Sequence, residues 1–294
     1  MQMIWQTSRF RLDLTRPVVM GIVNTTPDSF SDGGHHDQVA AAAAWCERLL
    51  AEGAGILDIG GESTRPGAPE VPLDEEMRRV LPVLRHAVTL GVPVSIDTYK
   101  PEVMAAALDL GADIVNDIHA LTRPGALEVV SAHPACGVCL MHMRGEPNSM
   151  QSDVGYQDVV GEVQGYLSAR LVAVERAGIA RERITLDPGI GFGKSVAGNF
   201  DLLSRQSELL DLGCPLLVGW SRKSSLGAVT GRVVTDRLAA SVAAALAAVE
   251  LGARVVRVHD VAATVDALKV WEQAGLGPWA KALGSPSKHG DLVQ

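Results

Sequence analysis

Carboxylates, carboxamides and cations recur in this sequence directly after short aliphatic runs. They stand at Asn24, at Glu62 to Arg65, at Asp97, at Asn116 and Asp117, at Met141 and His142, at Asp187, at Ser221 to Lys223, and at Arg257 and His259. An acid or amide after a strand is most often the N-cap of the next helix. Asp187-Pro188 and Arg257-Val258-His259 make poor caps, and recurrence after every run exceeds what capping requires. Alternation puts Arg257 and His259 on one face of their run. A set of this kind points to a polar ligand gripped by many chain segments at once.

Other patterns carry less. Gly189-Ile190-Gly191-Phe192-Gly193-Lys194-Ser195 has three residues between Gly189 and Gly193 where a phosphate loop needs four. It also fails the dinucleotide fingerprint. Its glycines still allow close backbone approach to a planar ligand. The histidines form no metal cage: His35 and His36 read as a solvated loop tip, and His86, His119, His133 and His289 lack evident partners. Cys136 and Cys139 form a lone C-x-x-C in an apolar strand. Residues three apart on a strand face opposite sides, so these are buried free thiols of a reducing compartment.

The elements that position these residues follow a rhythm. Candidate strands are Val18–Asn24, Ile56–Gly60, Val94–Asp97, Ile114–Asp117, Gly137–Met141, Ile184–Leu186, Leu216–Gly219 and Val255–His259. Amphipathic helical patterns separate most of them, as in Asp236–Glu250. Five helix-to-strand junctions share one form, Gly, two residues, then an aliphatic, beginning at Gly53, Gly91, Gly111, Gly213 and Gly252. Glycine ends the helix and the strand starts at once. Eight such βα units in 294 residues predict a (β/α)8 TIM barrel in one domain, residues 1–276, with a frayed polar tail at 277–294. Function then collects at the carboxyl ends of the strands, where Asn24 to His36 and Gly60 to Leu73 form long loops able to close as lids.

A formal charge of −8 argues against nucleic acid as a partner. No apolar run suits a membrane span, and residues 1–16 lack the apolar core of a signal peptide. The expected location is the cytoplasm.

The strand-end motifs, taken in order, resemble the dihydropteroate synthases, pterin-binding barrel enzymes of folate biosynthesis. They are Met20 to Gly34 (MGIVNTTPDSFSDGG), Asp58 to Gly67 (DIGGESTRPG), Ser95-Ile96-Asp97-Thr98, Asn116-Asp117, Asp187 to Gly193 (DPGIGFG), Gly219 to Ser224 (GWSRKS) and Arg257-Val258-His259. Thr25 and Trp220 are minor departures that remove no functional group. The resemblance spans Val18 to Asp260. It implies a transferase joining 6-hydroxymethyl-7,8-dihydropterin diphosphate to 4-aminobenzoate, releasing diphosphate. It further implies Mg²⁺ at Asn24 and a homodimer through the late helices.

Within that resemblance the roles divide by chemistry. Asp187 would accept the amide and amino hydrogens of the pterin edge as a bidentate carboxylate. Asn116 and Lys223 would meet other ring atoms, Arg257 would stack on the ring, and Met141 and Phe192 would wall it. Asn24, Thr64, Arg65 and His259 would face the diphosphate. Asp97 would stabilise a cation-like transition state. Phe30, Arg65, Pro66, Lys223 and Ser224 would frame 4-aminobenzoate, with Ser224 taking its carboxylate. Asp97, Lys223 and Arg65 are the expected catalytic residues. A methyltransferase of the same barrel family would share Asp97, Asn116 and Asp187 but needs neither Ser63 to Pro66 nor Ser221 to Lys223. A catalytically decayed relative would have lost those loops, which here look intact.

Overall fold

The computed structural model describes residues 3–26, 35–65, 67–147, 149–150 and 154–277, without the side chains of 35–37. Phe30, Pro66, the His35 and His36 rings and all but Gly277 of the expected tail therefore lie outside the description. Eight parallel strands close into a barrel: β3 (Val18–Asn24), β4 (Ile56–Gly60), β5 (Val94–Asp97), β6 (Ile114–Asp117), β7 (Gly137–Met141), β8 (Ile184–Asp187), β9 (Leu216–Val218) and β10 (Ala253–Val258), with β10 pairing β3. The connecting helices are α1 (His35–Ala51), α2 (Leu73–Ala87), α3 (Pro101–Asp109), α4 (Ala126–Ala132), α5 (Val159–Arg176), α6 (Val196–Ser204), α7 (Ser224–Thr230) and α8 (Leu238–Glu250), and α9 (Val261–Gln273) follows β10. All eight strands lie where the aliphatic runs predict them, with ends shifted by at most two residues. The five junction glycines all have positive φ, between 72° and 102°, which a side chain would resist.

Strand alternation divides the chain into two apolar surfaces. Outward residues such as Val19, Val23, Leu57, Ile59, Ile96, Val115, Leu140 and Val256 join the helices in one large core. Inward residues Met20, Ile56, Ile114, Cys139, Leu217 and Val255 form a second cluster at the barrel floor. Above that floor the inward positions become polar: Asp58, Asn116, Thr185, Asp187 and Arg257. Cys139 faces the floor and Cys136 the outer core, as their spacing predicts.

The N-terminal stretch, read only as polar in the sequence, is an antiparallel hairpin of β1 (Ile4–Gln6) and β2 (Arg11–Asp13). It seals the amino end of the barrel. Trp5 is fully buried against the floor cluster, and its indole N–H donates to the Arg183 carbonyl at 3.0 Å. At the hairpin turn, the Arg9 guanidinium makes two hydrogen bonds, of 3.0 and 2.6 Å, to the buried Asp113 carboxylate, and the Arg9 backbone N–H adds a third at 3.1 Å. Burial alternates along Ile4-Trp5-Gln6, but two apolar residues in a row carry no alternation in the sequence, and a three-residue strand falls below the length at which periodicity speaks. No helix among the described residues is long and apolar enough to cross a membrane.

Trp5→Ala would open a cavity in the floor and remove a buried hydrogen bond. The expected loss is about 3–5 kcal/mol, read as a lower urea midpoint with an unchanged far-ultraviolet spectrum. A midpoint within error of the parent would show that the hairpin is not a stopper.

Candidate active site

The polar tier is organised around one cation. Arg257, on β10, donates through Nε to Asp58 Oδ2 at 2.5 Å and through Nη2 to Asp97 Oδ2 at 2.6 Å. Asp58 is fully buried in the middle of β4, and its Oδ2 also accepts from Asn116 Nδ2 at 3.2 Å. Gly60 is the register partner of Asp97, and a Cβ there would lie in ordinary contact with the Asp97 side chain, 3.4 Å from its Cβ. Burial pushes Asp97 up to about 7 against the pull of Arg257, with Asp58 and Glu76 adding to the rise. Burial lowers Arg257, but Asp58 and Asp97 outweigh it and hold the guanidinium above its ordinary value.

Asp187 ends β8 and is buried, 7% exposed. One oxygen accepts the Gly189 amide at 2.7 Å. Each carboxylate oxygen can accept two hydrogen bonds, so acceptor capacity remains. Burial raises Asp187 above the usual carboxylate range. Lys223 is lowered to about 8, mainly by burial, and its Nζ lies 4.2 Å from the Phe192 ring centroid. Phe192 and Met141 pack in one cluster with Ile118, Met143, Met150 and Tyr99.

His259 stands beside this set just beyond the end of β10. Its backbone N–H donates to Ser221 Oγ at 3.1 Å, and that hydroxyl lies 3.0 Å from His259 Nδ1. Burial and the neighbouring Arg257 push the imidazole down to about 3. This keeps the ring neutral near pH 7, and in the tautomer where Ser221 donates to Nδ1 the ring proton rests on Nε2. Arg65 is exposed, yet its charge contributes to lowering both Lys223 and His259. Thr64 is half-buried; Ser224, the first residue of α7, is exposed. Asn24 ends β3 half-buried.

Several strand-end residues prove to be scaffold. Asp117 takes the capping role, accepting the His119 and Leu121 amides at 2.8 Å each. It pins Ala120 and Leu121 in left-handed conformations, φ 51° and 58°, and Arg170 binds their carbonyls. Arg222, also left-handed, pairs with Asp260 at 2.6 Å. His133 and His86 are not partnerless: His133 Nδ1 accepts the Cys136 amide at 2.9 Å, and His86 Nε2 faces Glu47 at 3.0 Å.

Three residues escaped the sequence reading. Asp58 was visible as an acid inside an apolar strand. Lys194, dismissed with the failed phosphate loop, is a buried ammonium donating to the carbonyls of Gly189 and Phe192 at 2.8 and 2.9 Å and to His142 Nδ1 at 2.9 Å. It clips the loop after Asp187 closed, and burial lowers its pKa. Lys100 binds two glutamates and gave no motif.

A cation would find one neutral oxygen donor at Asn24, because no group of three His, Cys, Asp or Glu among the described residues could hold a metal. That donor set suits Mg²⁺, which keeps several waters and relies on substrate phosphates.

Comparison with known proteins places this geometry. The family described as pterin binding enzyme matches residues 20–259. A dihydropteroate synthase from Neisseria meningitidis serogroup C is 54% identical over 93% of this chain and 98% of its own. That of Escherichia coli K12 is 48% identical over 89% and 93%. Among solved structures, Xanthomonas albilineans dihydropteroate synthase with 4-aminobenzoic acid has a TM-score of 0.89 and 51% identity, covering 95% of this chain and all of the other. The Burkholderia cenocepacia enzyme complexed with 7,8-dihydropteroate has a TM-score of 0.84 and 51% identity, over 93% and 96%.

Arg257→Met would leave Asp58 and Asp97 without their cation. Breaking a buried pair costs about 3–5 kcal/mol. Without Arg257, Asp97 would rise further above its unfolded value, so the folded variant favours the protonated acid. Its deficit therefore shrinks at pH 6 and grows at pH 8. Urea melts of both proteins at the two pH values test this; a deficit independent of pH contradicts the electrostatic account.

Proposed function

The chain belongs to the pterin-binding enzymes, and from that membership we propose how its barrel mouth works. Its activity is dihydropteroate synthesis, the transfer of a dihydropterin-methyl group from diphosphate to 4-aminobenzoate. The observation that carries the proposal is the buried polar tier. Asp187, Asp97, Asp58, Arg257 and Lys223 converge at the carboxyl ends of the strands beside an apolar wall, a costly arrangement that a purely structural barrel has no use for.

In this reading Asp187 accepts the donor edge of the pterin, and Asn116 and Lys223 meet its remaining polar atoms. Phe192 and Met141 cover its sides. Arg257 stands beside the ring, held in place by two carboxylates, so its plane is fixed before substrate arrives. The neutral His259 offers its Nε2–H to the diphosphate, with Thr64 and Arg65 nearby. Mg²⁺ at Asn24, when bound with diphosphate, would neutralise charge developing on the leaving group. Asp97 stabilises positive charge growing on the exocyclic methylene as the C–O bond breaks. The aromatic amine then attacks that carbon and its proton leaves to solvent. Arg65, Lys223 and Ser224 frame the 4-aminobenzoate.

A second copy of the chain would cover Val229, Val233, Val234 and Leu238, exposed on and between α7 and α8, and Val270 on α9. A homodimer through those helices accounts for them. Four buried unpaired cysteines support a reducing compartment, hence the cytoplasm.

Purified protein given Mg²⁺, pterin diphosphate and 4-aminobenzoate should release diphosphate only when both organic substrates are present; release without 4-aminobenzoate, or none at all, removes the proposal. Asp187→Asn turns an acceptor into a donor facing donors, and pterin affinity by titration calorimetry should fall about 100-fold, the equivalent of about 2.7 kcal/mol. An unchanged affinity displaces the pterin edge from Asp187. Arg65→Ala should raise KM for 4-aminobenzoate about tenfold or more while pterin diphosphate binding changes little. Steady-state kinetics showing only a pterin defect reverses the assignment.

A further inference from the structure

The segment after Asp97 looks sideways, toward the loop between β4 and α2. Lys100 is buried, and its ammonium has three acceptors for its three hydrogens: a Glu62 carboxylate oxygen, the Val71 carbonyl at 2.8 Å and Glu76 Oε2 at 2.6 Å. Glu62 lies two residues past the end of β4, and Val71 two residues before α2 begins. One side chain thus joins both ends of that loop and ties them to α2. The neighbours repeat the arrangement. Tyr99 Oη donates to Glu62 Oε1 at 2.8 Å, and Thr98 Oγ1 donates to Glu76 Oε1 at 2.7 Å. Glu76 is 1% exposed and packs where a Cβ on Gly61 would lie 3.0 Å from its Cγ.

Two carboxylates and one ammonium are therefore locked together at the base of the loop that carries Thr64 and Arg65. Surface ion pairs hold little, but a buried cation with every donor engaged fixes its partners in position. We propose that Lys100 is a positioning residue that closes the base of the loop between Glu62 and Val71 and so presents Arg65 to 4-aminobenzoate. The proposal rests on the assignment of Arg65 to that substrate. The three ammonium hydrogens of Lys100 are all taken by protein acceptors, and Asp97, three residues earlier, accepts from Arg257 instead.

The test uses the full chain carrying Lys100→Met, Lys100→Arg or Glu62→Ala. Lys100→Met should raise KM for 4-aminobenzoate tenfold or more, leave the calorimetric affinity for pterin diphosphate within twofold, and speed amide hydrogen exchange in peptides spanning 62–71 at least tenfold without changing exchange in the barrel strands. Lys100→Arg should recover part of both effects. If Lys100→Met does not fold, Glu62→Ala, which removes one arm, is read by the same measures. Unchanged exchange in 62–71, or equal loss of both substrates with faster exchange throughout the barrel, overturns the proposal. Wild type and Arg65→Ala are run alongside. If wild type fails to join the substrates, or Arg65→Ala leaves the 4-aminobenzoate KM unchanged, the functional assignment falls, and hydrogen exchange still decides whether Lys100 closes the loop.

Discussion

Arg257 places a single positive charge between two carboxylates inside a barrel, one of them cut off from water. Ions cost several kcal/mol each to desolvate, and the attraction between them offsets this only when geometry and hydrogen bonding are good. The geometry is good, since two separate guanidinium nitrogens each meet an acid and Asn116 gives Asp58 Oδ2 a further donor, but the buried Asp58 Oδ1 has no partner among the described residues, so the offset is incomplete. Aliphatic side chains in the same volume would serve stability as well or better. The polar tier thus persists at the expense of the fold, and the apolar floor beneath it, sealed by Trp5, carries the compensating burial. This division of the interior, oil below and charge above, is the constraint from which the position of the mouth follows.

Rigid support for the mouth comes from cations and acids satisfied by backbone. Lys194 gathers carbonyls after β8, Arg170 binds the two left-handed residues after β6, and Asp117 caps the same turn. Left-handed conformations outside glycine cost of order 1–3 kcal/mol each. At Ala120 and Leu121 that strain is held by three side-chain-to-backbone contacts from two directions. The strand-to-helix turns around the mouth are therefore fixed by groups that never reach the ligand space, and the ligand-facing groups ride on them.

What the amino-acid sequence disclosed, and what it hid, follows from the range of each interaction. Strands and junction glycines were legible because alternation and positive φ are local properties. Asp187, Arg257 and Lys223 were legible because a strand end maps directly onto the mouth of a barrel. Asp58 was harder: inward direction could be read from its spacing to Ile56, but not that Arg257, 199 residues away, would meet it. Trp5 sat in a strand too short to announce itself. Lys194 was misjudged because a glycine-rich loop followed by lysine was weighed only as a phosphate cradle, when the ammonium instead turns back onto the loop's own carbonyls. Nothing in its neighbours marks Lys100, since its partners lie 24 to 38 residues away and belong to another βα unit.

The two halves of the mouth differ in what remains to be done when ligands arrive. Asp187 is desolvated already, Asp97 and Arg257 keep only 13% and 21% of their side-chain exposure, and the shifted proton affinities of Asp97, Asp187 and Lys223 record a burial cost met during folding. On the proposed assignment a ring entering there finds donors and acceptors already held in place and largely stripped of water, which is the condition for electrostatic stabilisation of a developing charge. Arg65 and Ser224 remain in solvent. They gain full strength only when water leaves, because Coulomb attraction rises as the effective dielectric falls. An exposed arginine on a loop tied down at its base therefore has its direction set in advance and its strength deferred. On the proposed assignment, the reactive pterin methylene would form within the fixed half of the mouth, and the half that excludes water would complete itself around the second substrate.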